Sequence, residues 1–309
     1  LALKPDKSEL WVSNHVSDSV NVIDLDPGSP TFHQVIGLID ASSYQEADRY
    51  FDEPAGIAFA SNAKAYVALS QENQIAVIDA ARLKITKTIA VPAQDPRAIT
   101  VFEDKLFVLP FESNNQTQLS GCLPSKIDGE RCTFDAIEHV FTNNNVLSLN
   151  YVADIVKNPE LPDRDLLVYD TSSEQLIETV EGLGTLLYGI TVTESGQVVI
   201  AQTDARNDAN GLAGSAGHGL AELENRPFLN QLSMVLCGTD DPCNTQASRI
   251  QLESPPPDQL SDGSALATPY SVVAIPDTSW IAGTAAGSDE VFIVDASQQT
   301  LLSRHSVGA

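Results

Sequence analysis

A repeat of about 42 residues constrains the fold of this chain more than any other feature of its sequence. The motif that begins at Pro54 starts again at Pro96. Between the two prolines lie four short apolar or alternating runs, each followed by a turn sequence: Ile57–Phe59, Ala65–Leu69, Gln74–Asp79 and Ile85–Val91. Such runs bounded by turn residues predict β-strands, and four in succession predict an antiparallel meander.

The same template fits other parts of the chain. First strands of such units are predicted around Leu1, Ile57, Ile99, Ile190 and Val272. Repeats of this length with four strands each are typical of β-propeller blades. We therefore predict an all-β fold, a single β-propeller domain over 1–309 with five four-stranded antiparallel blades. Five blades fit either a small ring or part of a larger ring in a longer chain.

The third strand of most units ends in two apolar residues and an aspartate, at Asp24, Asp79, Asp170 and Asp295. An aspartate at that place accepts hydrogen bonds from the backbone of the following turn, which is a structural role. Trp11 and Trp280 both lie on predicted second strands. Their similar placement predicts that both rings pack between neighbouring blades.

Three long inserts interrupt the repeats, at 37–53, 111–163 and 204–247. Loops on a rigid scaffold are common places for function. The strands that follow the third insert look degenerate, which makes blade 4 the least regular unit. Short helices are predicted at 42–51 and 219–233, the second interrupted by Pro227.

Four cysteines form two close pairs, Cys122/Cys132 and Cys237/Cys243, and both pairs lie in the inserts. Four cysteines allow three disulfide connectivities, of which pairing between sequence neighbours is the most economical. A zinc site is the alternative, although the spacings differ from the usual C-x2-C. Disulfides in exposed loops would indicate an oxidising compartment, the periplasm or the cell exterior.

The charge balance narrows the classes of partner. The chain has 17 Lys+Arg against 42 Asp+Glu, a formal net charge of -25. This charge argues against binding to nucleic acids, whose phosphates would be repelled. No apolar run approaches the roughly 20 residues of a transmembrane helix. Both ends lack recognisable signal or anchor sequences, and we expect the chain to be a fragment of a longer protein.

The runs LWVSNHVSDSVNVIDL and AYVALSQENQIAVIDAARLKITKTIAV resemble the YVTN-type propeller repeat. The resemblance covers blades 1, 2 and 5 well, and blades 3 and 4 only at their edges. It implies a propeller of the YncE-like or lactonase-like kind, usually with seven blades. Such propellers occur in surface-layer modules, periplasmic binding proteins, lactonase-like enzymes and multidomain redox proteins.

The candidate ligand-binding residues are those that this pattern places near the central channel. His15 follows the second strand of blade 1, where loops converge on the channel. Asp18, Glu72 and Arg97 would complete the set of acid, arginine and histidine that a lactonase needs. The alternatives are a turn histidine and an Arg97 that pairs with a loop carboxylate of a neighbouring blade.

A candidate calcium loop lies at the start of the third insert. Asp204, Asn207, Asp208 and Asn210 place oxygen ligands at short intervals before a glycine, as in the first half of a calcium loop. Arg206 occupies a usual ligand position, however, and no glutamate closes the loop. The alternative is an Asn/Asp/Gly turn cluster. Calcium is the one cofactor that the sequence suggests.

The sequence favours a non-enzymatic function. We predict an exported module that binds a protein partner or a small ligand, within a larger extracytoplasmic and redox-associated protein. The partner is then another protein or other domains of the same polypeptide. The alternative is a lactonase-like or metal-assisted hydrolase that uses the central channel.

Overall fold

The computed structural model describes residues 1–45, 49–113, 119–122, 152–155, 163–205, 228–238, 242–243, 247–254 and 264–308. Regular structure in these residues is almost entirely β: 22 strands accompany two single-turn 3₁₀ helices, His15–Ser17 and Ala41–Ser43. The described residues contain no helix with the length and hydrophobicity that crossing a lipid bilayer requires.

Five four-stranded antiparallel units, blades 1 to 5 in chain order, contain all of these strands except one hairpin. Blade 1 consists of β1 (Ala2–Leu3), β2 (Glu9–Asn14), β3 (Ser19–Asp24) and β4 (Val35–Ile39). Blade 2 consists of β5 (Pro54–Ser61), β6 (Lys64–Leu69), β7 (Gln74–Asp79) and β8 (Lys84–Ala90). Blade 3 consists of β9 (Gln94–Phe102), β10 (Lys105–Glu112), β13 (Leu166–Asp170) and β14 (Leu176–Val180).

Blade 4 consists of β15 (Leu186–Val192), β16 (Gln197–Ala205), β17 (Phe228–Leu236) and β18 (Ser248–Gln251). Blade 5 consists of β19 (Pro269–Ala274), β20 (Trp280–Ala285), β21 (Glu290–Asp295) and β22 (Thr300–Ser306). The separate hairpin pairs β11 (Leu119–Cys122) with β12 (Val152–Ile155) inside the predicted insert of blade 3. A backbone pair between β10 and β15 joins blades 3 and 4 into one continuous sheet. The protein is therefore an all-β propeller, as predicted.

The core consists of four apolar clusters, each between two consecutive blades. Successive residues of a strand point to opposite faces. In blades 2, 3 and 4, one set of side chains therefore packs on the preceding blade and the other set packs on the following blade. We call these the back face and the front face of a blade. The residue two places before the third-strand aspartate lies on the front face, as Val22, Val77 and Val168 show.

An ionic cluster links blades 2 and 3. Glu174, in the turn after β13, forms ion pairs with both Lys64 and Lys87 of blade 2. Lys64 also donates to the carbonyl oxygen of Thr171 at 2.8 Å. Burial of Glu174 alone would raise the pKa of its carboxyl group, but the hydrogen bonds from the two lysines lower it below its ordinary value.

The strand boundaries differ from the prediction in blade 4 and at the end of blade 1. The helix predicted at 219–233 is wrong from Phe228 onward, because 228–236 forms β17, which pairs with β16 along its whole length. Residues 206–227 lie outside the described residues. In blade 1, β4 includes 37–39, which the sequence pattern assigned to the insert. Both strands lack a strict apolar–polar alternation, and their pairing with a neighbouring strand decides their structure.

The predicted role of the third-strand aspartates is confirmed. In each case Oδ1 accepts a hydrogen bond from a backbone N–H of the following turn: Asp24 from Asp26, Asp79 from Ala81, Asp170 from Ser173 and Asp295 from Ser297. Hydrogen bonds from nearby side chains, and from these backbone groups, lower the pKa of all four carboxyl groups.

The prediction for the two tryptophans is correct for one of them. Trp11 is fully buried between blades 1 and 2, with its ring edge-on to Phe59 at 4.9 Å. Trp280 is 43% exposed. The two positions are not equivalent, because Trp11 pairs with Val22 whereas Trp280 pairs with the aspartate, Asp295, itself.

Candidate binding groove

A central groove with a volume of about 620 Å³ is lined by residues from all five blades. The first strands β5, β9, β15 and β19 form most of its wall, and Leu1, Ser13 and His15 contribute from blade 1. Polar backbone and aromatic side chains both face this space. We call it the central groove.

Two glycines allow the inner strands to approach closely. A Cβ atom on Gly56 would lie 2.6 Å from the carbonyl oxygen of Arg97 in the next blade. A Cβ atom on Gly189 would lie 2.7 Å from the carbonyl oxygen of Tyr270. Both distances are far below van der Waals contact, so a side chain here would push neighbouring first strands apart.

The first strands of blades 3, 4 and 5 each contain a β-bulge at the groove. The pairing skips Arg97 in β9, Tyr188 in β15 and Tyr270 in β19, so that each is the extra residue of its bulge. A bulge turns one side chain away from the regular alternation of the strand. All three of these residues line the groove.

The bulge residues form a continuous row with Phe111 of β10. The guanidinium carbon of Arg97 lies 4.1 Å from the centre of the Phe111 ring. Phe111 meets Tyr188 edge-on, with ring centres 5.4 Å apart, and the centres of Tyr188 and Tyr270 are 5.9 Å apart. Tyr270 is 57% exposed. We call this row of four residues the aromatic row.

Arg97 is also held by a carboxylate of its own strand. Its Nε donates to Oδ1 of Asp95 at 2.9 Å, and its Nη2 lies 2.6 Å from Oδ2 of the same residue. The partner is therefore two residues away in β9, and the expected pairing with a neighbouring blade's loop is wrong. Because the ion pair balances its charge, Arg97 offers the groove mainly the face of its guanidinium group.

Carboxylates gather at one mouth of the groove. Oε2 of Glu53 lies 3.7 Å from Nε2 of His15, and Oδ1 of Asp18 accepts a hydrogen bond from the backbone N–H of Glu53 at 2.9 Å. Glu53 also lines a smaller recess of about 230 Å³ together with Asn73 and Asp95. This mouth is therefore acidic.

The structure brings together part of the set proposed from the sequence. His15 and Arg97 line the groove. Asp18 lies at the mouth of the groove, where it accepts the hydrogen bond from the backbone N–H of Glu53. Glu72 does not line the groove. Glu72 lies instead near Tyr44. Burial raises the pKa of Tyr44 to about 12, and the negative charge of Glu72 makes a smaller contribution in the same direction.

The candidate calcium loop is described only at its first residue. Oδ2 of Asp204 accepts a hydrogen bond from Nη1 of Arg249 at 2.6 Å, and its Oδ1 lies within 3.4 Å of the Thr185 hydroxyl. Asn207, Asp208 and Asn210 lie outside the described residues. No group of three or more His, Cys, Asp or Glu side chains that could hold a metal ion occurs in the described part of the chain.

One of the two predicted disulfides is present. Cys237 and Cys243 are joined by an S–S bond at the end of β17, and both are buried. The backbone N–H of Cys243 donates to Oε1 of Glu178 in blade 3 at 2.8 Å, so the disulfide loop is attached to the neighbouring blade. For the other pair, Cys122 lies on β11 and Cys132 is outside the described residues.

Three solved structures resemble this chain over almost its whole length. Hydrazine synthase from Kuenenia stuttgartiensis matches with a TM-score of 0.52 and 14% identity, covering 98% of this chain and 85% of that one. Hsv2 from Kluyveromyces lactis matches with a TM-score of 0.49, 9% identity and coverage of 99% and 62%. A chain of a nidogen/laminin complex matches with a TM-score of 0.44, 11% identity and coverage of 97% and 81%.

At 14% identity, the likeness to hydrazine synthase concerns the fold alone. No family model matches the sequence, and no curated protein matches it. The narrower resemblance to YVTN repeats therefore stays a prediction, while the propeller fold is shown.

Three of the four residues in the aromatic row are not among the sequence-predicted site residues: Phe111, Tyr188 and Tyr270. A signal for two of them was present. Arg97, Tyr188 and Tyr270 all lie two residues before the apolar residue used to count blades, namely Ile99, Ile190 and Val272. Aligning the first strands on that residue would have placed all three at one position facing the channel.

Proposed function

We propose that the protein is an exported binding module whose central groove holds a segment of a partner protein or a small ligand. The observation that carries this proposal is the row of bulge residues. In three consecutive blades, the first strand has a β-bulge at the same position. The bulge residue, which is Arg97, Tyr188 or Tyr270, lines the central groove in each case.

The chemistry of the groove indicates the kind of ligand. Exposed aromatic faces stack on flat groups and bury apolar surface, while their hydroxyl groups still reach polar partners. The acidic mouth at Glu53 and the net charge of -25 favour a ligand that is neutral or basic rather than anionic. An extended peptide with an aromatic or proline residue and a basic neighbour meets both requirements.

Export is part of the proposal and rests on the disulfide. Disulfides persist mainly in extracytoplasmic compartments, and Cys237–Cys243 joins two buried cysteines. A module of this kind would serve a larger extracytoplasmic protein, of which a redox-associated one is an example.

The test is selection of a peptide library displayed on phage against the purified protein, followed by titration of the enriched peptides. We expect peptides with an aromatic or proline residue beside a basic one, and at least tenfold weaker binding to Tyr270→Ser. The matched control is Tyr50→Ser, because Tyr50 is also exposed but does not line the groove. Equal binding by both variants would place the binding site elsewhere.

The same protein should be assayed with dihydrocoumarin, a simple aromatic lactone, in the presence of calcium. Hydrolysis that is lost in His15→Ala and kept in Tyr50→Ser would replace the binding module by the lactonase-like alternative. We expect no hydrolysis above the uncatalysed rate.

A further inference from the structure

Five blades require five contacts to close a ring, but the described residues form only four apolar clusters between blades. The clusters join blades 1 and 2, 2 and 3, 3 and 4, and 4 and 5. In the described part of the chain, no core cluster joins blade 5 to blade 1, and no strand of one packs on a strand of the other beyond isolated contacts. Among the described residues, nothing therefore covers the front face of blade 5 or the back face of blade 1, and we call both faces open.

The open front face of blade 5 has the composition of an interface. In the third strand, the position four residues before the aspartate is fully buried in blades 1, 2 and 3, where it is Val20, Ile75 and Leu166. The corresponding Val291 of blade 5 is 36% exposed. Val273 and Trp280 extend this face on β19 and β20 and are 58% and 43% exposed.

The open back face of blade 1 shows the same contrast. The residue just before the third-strand aspartate is buried in blades 2, 3 and 5, where it is Ile78, Tyr169 and Val294. Its counterpart in blade 1, Ile23, is only partly buried. Leu3 pairs with Leu10 beside it, and both Leu3 and Leu38 are exposed large apolar residues.

We propose that both open faces dock further four-stranded blades of the same repeat, which are carried on the same polypeptide and close the ring. The four contacts already present show what covers such faces, since each front face packs on the back face of the next blade. Contiguous apolar surface of this kind on a propeller blade marks an interaction surface.

The positions of the two open faces indicate that the proposed further blades form one continuous stack between them. Leu1 and Ser13 of blade 1 and Tyr270 and Ser271 of blade 5 line the same central groove. A stack that begins on the front face of blade 5 therefore ends on the back face of blade 1 and completes the groove wall. A second copy docked on one face would leave a free face at each end of the pair, because such a head-to-tail contact closes only if its rotation fits.

The first experiment compares matched substitutions in the chain of 309 residues. Val291→Asp should shift the thermal midpoint by no more than about 2 °C, because the side chain is at an open face. Ile75→Asp, at the same register in a closed interface, should lower the midpoint by about 5 °C or more. Ile75→Ala serves as the milder comparison if Ile75→Asp does not fold. If Val291→Asp lowers the thermal midpoint as much as the Ile75 variants do, the front face of blade 5 is already covered and the proposal is overturned.

The second experiment uses the product of the complete reading frame. In the complete product, Val291→Asp should lower the thermal midpoint as much as Ile75→Asp does. The complete product should also bind several times less of the dye 1-anilinonaphthalene-8-sulfonate than the chain of 309 residues binds. A complete product that ends with these residues, or one in which Val291→Asp has no effect, would refute the docking of further blades. Concentration-dependent dimerisation of the chain that is lost in Val291→Asp would assign the face to a second copy instead.

Discussion

Asp165, the residue before β13, illustrates how tertiary burial controls a single ionisable group. Its side chain is fully buried, next to the segment that joins blades 3 and 4. Burial raises the pKa of Asp165 to about 7, against hydrogen bonds from Ser113 and from the backbone N–H of Leu183 that lower it. Nothing in the local sequence DRDLLV distinguishes this aspartate from Asp163 beside it.

The raised pKa of Asp165 predicts a stability that falls as the pH rises. Below about pH 4 the carboxyl is protonated in both the folded and the unfolded chain. Between about pH 4 and 7 the unfolded chain ionises first, so the free energy of unfolding decreases with increasing pH. Asp165→Asn should remove this part of the pH dependence and stabilise the protein most at pH 8, as measured by urea unfolding at pH 5 and pH 8.

Asp289→Asn provides the control for this prediction, because Asp289 is exposed and its αL backbone conformation suits asparagine. Its unfolding should follow the wild-type pH dependence. If Asp165→Asn also follows the wild type from pH 5 to pH 8, Asp165 is ionised in the folded protein and the prediction is wrong.

The third-strand aspartates are the opposite case at this scale. Their backbone donors lie two or three residues further along the chain, as Ser173 does for Asp170. These backbone hydrogen bonds therefore depend on the geometry of the turn, and a single sequence is enough to predict them.

The first strands show how an element combines a local irregularity with contacts to its neighbours. Each of β9, β15 and β19 bulges where it borders the groove, and Gly189 allows β15 and β19 to come together there. The bulge places a side chain in the groove, and the glycine determines how close the next side chain lies. Tyr188 and Tyr270 are adjacent because both features occur at one point.

Gly189→Ala should separate β15 from β19. The new Cβ would lie 2.7 Å from the carbonyl oxygen of Tyr270, and backbone cannot yield as a side-chain end can. We expect a loss of about 1–3 kcal/mol in the free energy of unfolding, measured with urea. Peptide binding in the groove should weaken as well, because Tyr188 and Tyr270 move apart.

Gly28→Ala is the matched control, since its new Cβ would meet only the side-chain Oδ1 of Asp26 at 3.4 Å, an ordinary contact. It should change the free energy of unfolding by less than about 0.5 kcal/mol. Equal stability of the two variants would mean that the strands adjust to the extra methyl group, and would contradict the close approach.

For the whole molecule, the disulfides connect stability to the compartment in which the protein folds. We expect mass spectrometry of the unreduced protein to show two disulfides, Cys237–Cys243 as observed and Cys122–Cys132 as predicted from the sequence. Changing Cys237 and Cys243 together to Ala should lower the free energy of unfolding by about 2 kcal/mol or more, because the bond limits the unfolded chain.

The matched variant changes Cys122 and Cys132 together to Ala. It should leave the Cys237–Cys243 bond intact in a peptide map. Four free thiols in the protein isolated from its natural host would contradict the proposed export.

The sequence by itself determined the architecture: an all-β chain, the five four-stranded blades, the places of their first strands and the turn aspartates. These depend on alternation and turn chemistry, which act over a few residues. The tertiary structure decided the third strand of blade 4, the exposure of Trp280, the partner of Arg97 and the separation of Glu72 from the groove. It also decided the aromatic row and the two open faces. These features arise from contacts between blades, and a contact between residues far apart in the chain leaves no periodic signal in a single sequence.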